Sequence, residues 1–173
     1  MNLKRILLVI MTSIFLCCKN KPKNNQKTKD YLTKLEELVL SENNVLQEYI
    51  IKSNTKKETL EYNIIFIGVL KKSGVKVLHY DRLAGTDSPH LDSYLSLYSS
   101  SGEKLGKYYI GSVSTPRLEN DNLIFDENYA SCNQTTVVSF RDSIPKEIFI
   151  RCTANGGNLY GFEKEDNIGH VSD

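Results

Sequence analysis

Hydrophobic and polar positions divide the chain into four stretches with different periods. Ile6 to Leu16 is an apolar run interrupted only by Thr12 and Ser13. Lys19–Asp30 has no apolar residue apart from one proline, cannot bury surface, and predicts a disordered basic tether. In Tyr31–Ile51, Leu32, Leu35, Leu38/Val39, Val45/Leu46 and Tyr49/Ile50 recur at steps of three and four, which predicts helix. Asp30 is placed to cap its start, and Ser41-Glu42-Asn43-Asn44 is a weak point where it divides in two. From Leu60 onward the period changes to that of strands. Glu61–Leu70 is nearly continuous and β-branched, the mark of a strand buried on both faces. Further strands are expected at Val75–Asp81, Asp92–Ser99, Leu105–Ser112, Asn122–Asp126, Gln134–Arg141, Lys146–Thr153 and Asn158–Glu163. The fold class is therefore mainly β with an α+β element: an antiparallel meander of about eight strands, sandwich- or half-barrel-like, with an N-terminal helix packed on the sheet. Leu35, Val39 and Leu46 form the stripe expected to cover Glu61–Leu70. The segments are 1–17, 18–30 (tether), 31–165 (one helix-plus-β domain) and 166–173 (polar tail).

Charge alters this picture in one respect. The chain has 22 Lys+Arg against 21 Asp+Glu, but the bases crowd the N-terminus. Setting aside Lys4, Arg5, Lys19, Lys21, Lys23, Lys27, Lys29 and Asp30 leaves 15 basic and 20 acidic residues. An acidic domain without a basic stripe argues against nucleic acid as a partner.

The first run is too short for a bilayer span, which takes ~20 apolar residues, and has the length of a secretory h-region behind the charges Lys4 and Arg5. It ends in Cys17-Cys18. Met1 to about Asn20 resembles the signal peptide of bacterial lipoproteins, in which the cysteine after the cleavage point is lipidated and becomes the first residue. The resemblance implies cleavage after Cys17, lipid chains on Cys18, and a protein held to the bilayer of the cell envelope. Cys18 is favoured over Cys17 because the smaller residue then precedes the cut, and because Cys132 and Cys152 remain as an even pair. Lys19-Asn20-Lys21 after the cysteine, in place of acidic residues, implies an outer-membrane protein facing the periplasm. The phrase IPKEIFIRC following Cys132-Asn133-Gln134 resembles small uncharacterised lipoproteins of Bacteroidetes-type bacteria, which implies no particular activity.

Cys132 and Cys152 are the strongest constellation. A hairpin centred on Asp142 sets Cys132 opposite Cys152, Gln134 opposite Ile150 and Thr136 opposite Ile148. Val138, Phe140, Ile144, Ile148, Ile150 and both cysteines then share one face, and a structural disulfide is expected in an oxidising compartment. His79, His90 and His170 lack metal-ligand spacing, so neither metal nor cofactor is expected. Asp87, His90 and Asp92 are the one place where carboxylates and a histidine cluster, and a hydrolase would be sought there. Neither a nucleophile elbow nor a phosphate loop is present. Tyr94, Tyr98, Tyr108, Tyr109 and Tyr160 fall in strands, where a tyrosine-lined face would suit a peptide or glycan. The reading is a lipid-anchored, non-enzymatic binding module of inhibitor or immunity type, with an envelope protein, peptide or glycan as partner. An envelope hydrolase and a structural envelope component are the alternatives.

Overall fold

The structure is a computed structural model that describes residues 24–54, 59–85, 88–129, 132–153 and 156–165. The segment 1–17 expected to be a signal peptide, the expected lipidation site Cys18, Asp87, His170 and the segment 166–173 lie outside the described residues. Residues 34–173 form one compact unit; of the unit 1–33, the helical residues 24–33 are described.

The chain is mainly β, with one short helix packed against the sheet. Helix α1 (Asn24–Glu42) precedes β1 (Glu48–Asn54), β2 (Thr59–Val69), β3 (Lys76–Ala84), β4 (His90–Tyr98), β5 (Lys104–Gly111), β6 (Arg117–Glu119), β7 (Asn122–Tyr129), β8 (Cys132–Ser139), β9 (Glu147–Thr153) and β10 (Gly156–Lys164). Strands β1 to β5 pair in series, as a meander does. The chain then leaves to build a second sheet, β6-β7-β8, and returns so that β10 joins β5 and β9 forms the far edge. The result is a seven-stranded sheet, β1-β2-β3-β4-β5-β10-β9, and a three-stranded sheet, β6-β7-β8, that shares a core with one of its faces.

One core fills the space between the sheets. Ile65 and Ile67 from β2, Val77 from β3, Leu95 and Leu97 from β4, Tyr108 and Ile110 from β5, and Ile148 and Ile150 from β9 meet Leu123 and Phe125 from β7. The opposite face of the large sheet is also dry at one end. Ile64, Phe66, Leu78 and Tyr98 are buried there, and Val39 and Leu40 of α1 are buried with them. Strand β2 thus buries both faces, which explains its unbroken Ile-Phe-Ile pattern. Two polar contacts fix the end of the helix: Lys76 Nζ donates to the Leu40 carbonyl at 3.1 Å, and Lys104 Nζ lies 3.8 Å from Glu36. A bulge in β2 lets Leu118 of β6 close over the sheet, and Gly68 supplies it at φ 143°, a conformation that L side chains rarely adopt.

Three expectations need correction. The helix does not run to Ile51. It stops at Glu42, Asn43 takes φ 53°, and its N–H bonds the Val39 carbonyl at 3.2 Å. Glu48–Asn54 is a strand, because the three- and four-residue steps of Val45/Leu46 and Tyr49/Ile50 also admit a short extended run with the β-branched pair Ile50-Ile51. Leu46 therefore leaves the packing stripe and is 57 % exposed. The tether is not wholly irregular either, since Asn24–Asp30 is helical. Gln26, Lys27 and Lys29 are good helix formers, and a helix once nucleated adds a hydrogen bond for each residue fixed, with no apolar face required. Finally, β8 and β9 are not a hairpin. β8 pairs with β7, and β9 pairs with β10.

Candidate functional site

Alternation along β8 and β9 survives the loss of the expected hairpin. Cys132 and Thr136 of β8 point inward, as do Ile148 and Ile150 of β9. The two strands are the facing edges of different sheets. They meet through side chains, with the Arg151 N–H donating to Thr136 Oγ1 at 2.8 Å in place of a backbone ladder. Cys132 and Cys152 stand at disulfide distance across this seam, with Cα atoms 4.6 Å apart. The pairing partners were legible; that the pair joins two sheets was not.

The outer face of the large sheet carries a row of aromatic side chains, half-buried from Tyr62 to Tyr94 and exposed at Tyr109. Tyr80 and Tyr94 are directly opposed on β3 and β4, and Tyr94 and Tyr109 on β4 and β5. Tyr62 on β2 extends the row. Ring centroids follow at 6.4, 5.4 and 5.3 Å from Tyr62 to Tyr109, with tilted planes. Beyond Tyr109 the row meets Gly161 of β10, where an added Cβ would touch nothing within 4 Å. Leu159 and Phe149, paired across β10 and β9, continue it at 60 % and 47 % exposure. The shallow depression beside Tyr109 is lined by Asn158, Leu159, Gly161 and Glu163 among others.

Polar groups border the row. Asp92 Oδ1 accepts from the Tyr109 hydroxyl at 3.1 Å, and its Oδ2 accepts from Arg82 Nη1 at 3.3 Å. The bond to this carboxylate raises the Tyr109 pKa. Lys107 Nζ sits 4.7 Å from the centre of the Tyr94 ring and 3.6 Å from Glu163. Burial, then the nearby Glu36 carboxylate, raise the pKa of Tyr80. These hydroxyls stay protonated at neutral pH and both donate and accept.

Several expected residues fall elsewhere. Tyr108 is in the core, donating to the Pro145 carbonyl at 2.5 Å, and Tyr98 is buried on the face that α1 covers. Tyr160 packs against the core. Of the five, Tyr94 and Tyr109 join the row, and Tyr62 and Tyr80 complete it; Tyr109 is exposed and the other three are half-buried. Strand parity would have found those two: Tyr80 lies two residues from Leu78 and Arg82 on one face of β3. Asp92 is bound to Arg82 and Tyr109, while His90 is exposed at the strand's first residue. Among the described residues no three of His, Cys, Asp and Glu gather as a metal-binding group. Nor is any described helix long and apolar enough to cross a membrane.

Fold and site together define a mainly β protein, a seven-stranded antiparallel sheet with a small second sheet, a helix packed on its other face and an aromatic row on that same face. No family model matches the chain, and no curated protein or solved structure compared with it does so.

Proposed function

We propose that this chain is a lipid-anchored protein of the bacterial cell envelope whose folded part binds a ligand on the outer sheet face. The observation that carries the reading is the row Tyr62–Tyr80–Tyr94–Tyr109, continued by Leu159 and Phe149 across six strands of one sheet. A row of this kind offers apolar area with hydroxyl groups at low entropic cost. It suits a ligand that presents flat apolar faces and hydroxyl or amide groups, as glycans and extended peptides do. The engaged Asp92 and the exposed His90 favour binding over hydrolysis at that end of β4.

The anchor is proposed at Cys18, in the outer membrane and facing the periplasm, from the Met1–Asn20 resemblance and Lys19-Asn20-Lys21. Several acyl chains give stable attachment, at ~0.8 kcal/mol per buried methylene. The oxidising side of the membrane is also where Cys132 and Cys152, already at bonding distance, would form a structural disulfide.

The test uses the chain's own fluorescence, since it has 10 Tyr and no Trp. Envelope glycan fragments and extended peptides are titrated into the protein and into Tyr94→Ala/Tyr109→Ala. The expected result is saturable quenching by members of one class, weakened at least about tenfold in the variant with its melt retained. Equal binding by both proteins would remove the site from this face. Turnover of either substrate class would replace binding with catalysis. Intact mass of envelope-extracted protein should show diacylglycerol on a chain beginning at Cys18; an unmodified product, or one beginning at Cys17, rejects the anchor as placed.

A further inference from the structure

The inner face of β3 carries two polar residues where the core would otherwise be apolar. His79 and Asp81 are two residues apart and so share a face. In register, His79 lies between Ile65 and Leu95, and Asp81 lies between Asn63 on β2 and Ser93 on β4. His79 is 1 % exposed. Its Nδ1 is 2.9 Å from Thr115 Oγ1, while its Nε2 is buried without a hydrogen bond and lies 3.7 Å from Asp81 Oδ1. Asn63 Oδ1 is likewise buried without a partner. The Ser93 hydroxyl donates to the same Asp81 oxygen, and the Asp81 side chain is 26 % exposed, which opens the group to solvent.

A neutral imidazole does not satisfy this arrangement by itself. With one hydrogen on the ring, only one of its two nitrogens can donate. If Nδ1–H donates to Thr115, the Nε2 lone pair faces a carboxylate oxygen. If the hydrogen is on Nε2, 3.7 Å is too long for a hydrogen bond. The same separation does suit two ligands of one ion. Donors about 2.1 Å from a zinc-like cation stand ~3.4 Å apart at a tetrahedral angle, and somewhat further apart at a wider one. A ligating histidine usually donates its other ring N–H to a second group, and the Thr115 hydroxyl oxygen occupies that place.

We propose that His79 Nε2 and the Asp81 carboxylate bind a divalent transition cation of the zinc class. Asn63 on one side and Ser93 on the other supply further oxygen donors, and water enters from the exposed side of Asp81. One imidazole with oxygen ligands favours zinc, cobalt or nickel over magnesium or calcium. Thr115 is a positioning residue, holding the tautomer whose lone pair is on Nε2.

The experiment takes the full chain, stripped with chelator, through zinc calorimetry and cobalt(II) absorption titration. The expected result is one equivalent bound, with visible cobalt bands of nitrogen and oxygen ligation. Asp81→Asn should weaken zinc at least tenfold with its melt retained, and Thr115→Val should weaken it about tenfold through the lost hydrogen bond to His79 Nδ1. His79→Gln should abolish binding, and the two preceding variants keep the test decisive if that protein does not fold. His90→Gln/His170→Gln should bind like the parent. Absence of binding, equal binding by Asp81→Asn, loss in the His90/His170 variant, or near-ultraviolet cobalt–thiolate bands would each overturn the site.

Discussion

Breaking the link between Cys132 and Cys152 should loosen the small sheet from the large one. The residues are 20 apart in sequence, and the closed segment contains β8, the connection through Phe140 and Pro145, and β9. In the chain-entropy account, a cross-link closing a loop of that size restricts the unfolded chain by about 3 kcal/mol at 25 °C. Among the described residues, two hydrogen bonds link these strands, Arg151 N–H to Thr136 Oγ1 at 2.8 Å and Cys132 Sγ to the Arg151 carbonyl at 3.9 Å. Cys152→Ala should therefore lower unfolding free energy by about 2–5 kcal/mol, and the midpoint on the order of 10 °C for a domain of this length. The half-buried position of Cys152 keeps the added cavity term small. The assay is urea unfolding of oxidised parent, reduced parent and variant. Reduced parent and variant should coincide, both below oxidised parent, and the variant's steeper m-value should report a more open unfolded state. Coincidence of oxidised and reduced parent would show that the cross-link is not formed or does not constrain the unfolded chain.

Three further outcomes are expected. Val39→Ala, at a fully buried helix position, should cost about 1–3 kcal/mol, whereas Leu46→Ala should change stability by no more than about 0.5; parallel thermal melts check the contrast, and equal effects would contradict the helix boundary. Tyr108→Phe should cost about 1–3 kcal/mol by leaving the Pro145 carbonyl without its donor, a loss read from urea midpoints; an unchanged midpoint would mean that the hydroxyl contributes nothing net. In chelator, the folded His79 pKa lies below its unfolded value of about 6.5, so the unfolded chain binds the extra proton and stability falls as pH drops from 6.5 toward the folded value. His79→Gln should lose that slope relative to the parent. Glu36, whose pKa burial raises despite Lys104, contributes with the opposite sign in both proteins and cancels in the comparison.

Local pattern determined a good deal by itself. The eight expected strands all appear, and the ends shift by only a few residues, because the two-residue period and the turn residues between strands are properties of short segments. The two-sided burial of β2 was legible in its run of Ile and Phe, and the inward facing of Cys132, Ile148 and Ile150 in simple alternation. Where a segment's period was ambiguous the reading went astray: Tyr49–Ile51 fits a helical step as well as a strand until tertiary hydrogen bonds to β2 decide it. The pairing of distant strands was a tertiary matter. β8 pairs with β7 and not with β9, so the cysteine pair at disulfide distance spans two sheets rather than one hairpin. Register across four strands turned scattered tyrosines into one row and sent Tyr108 into the core, and it set Asn63, Asp81 and Ser93 abreast beside His79. Alternation gives each strand two faces, but only the assembled sheets determine which face is dry and which residues from other strands stand beside it, because those contacts join positions far apart in the chain.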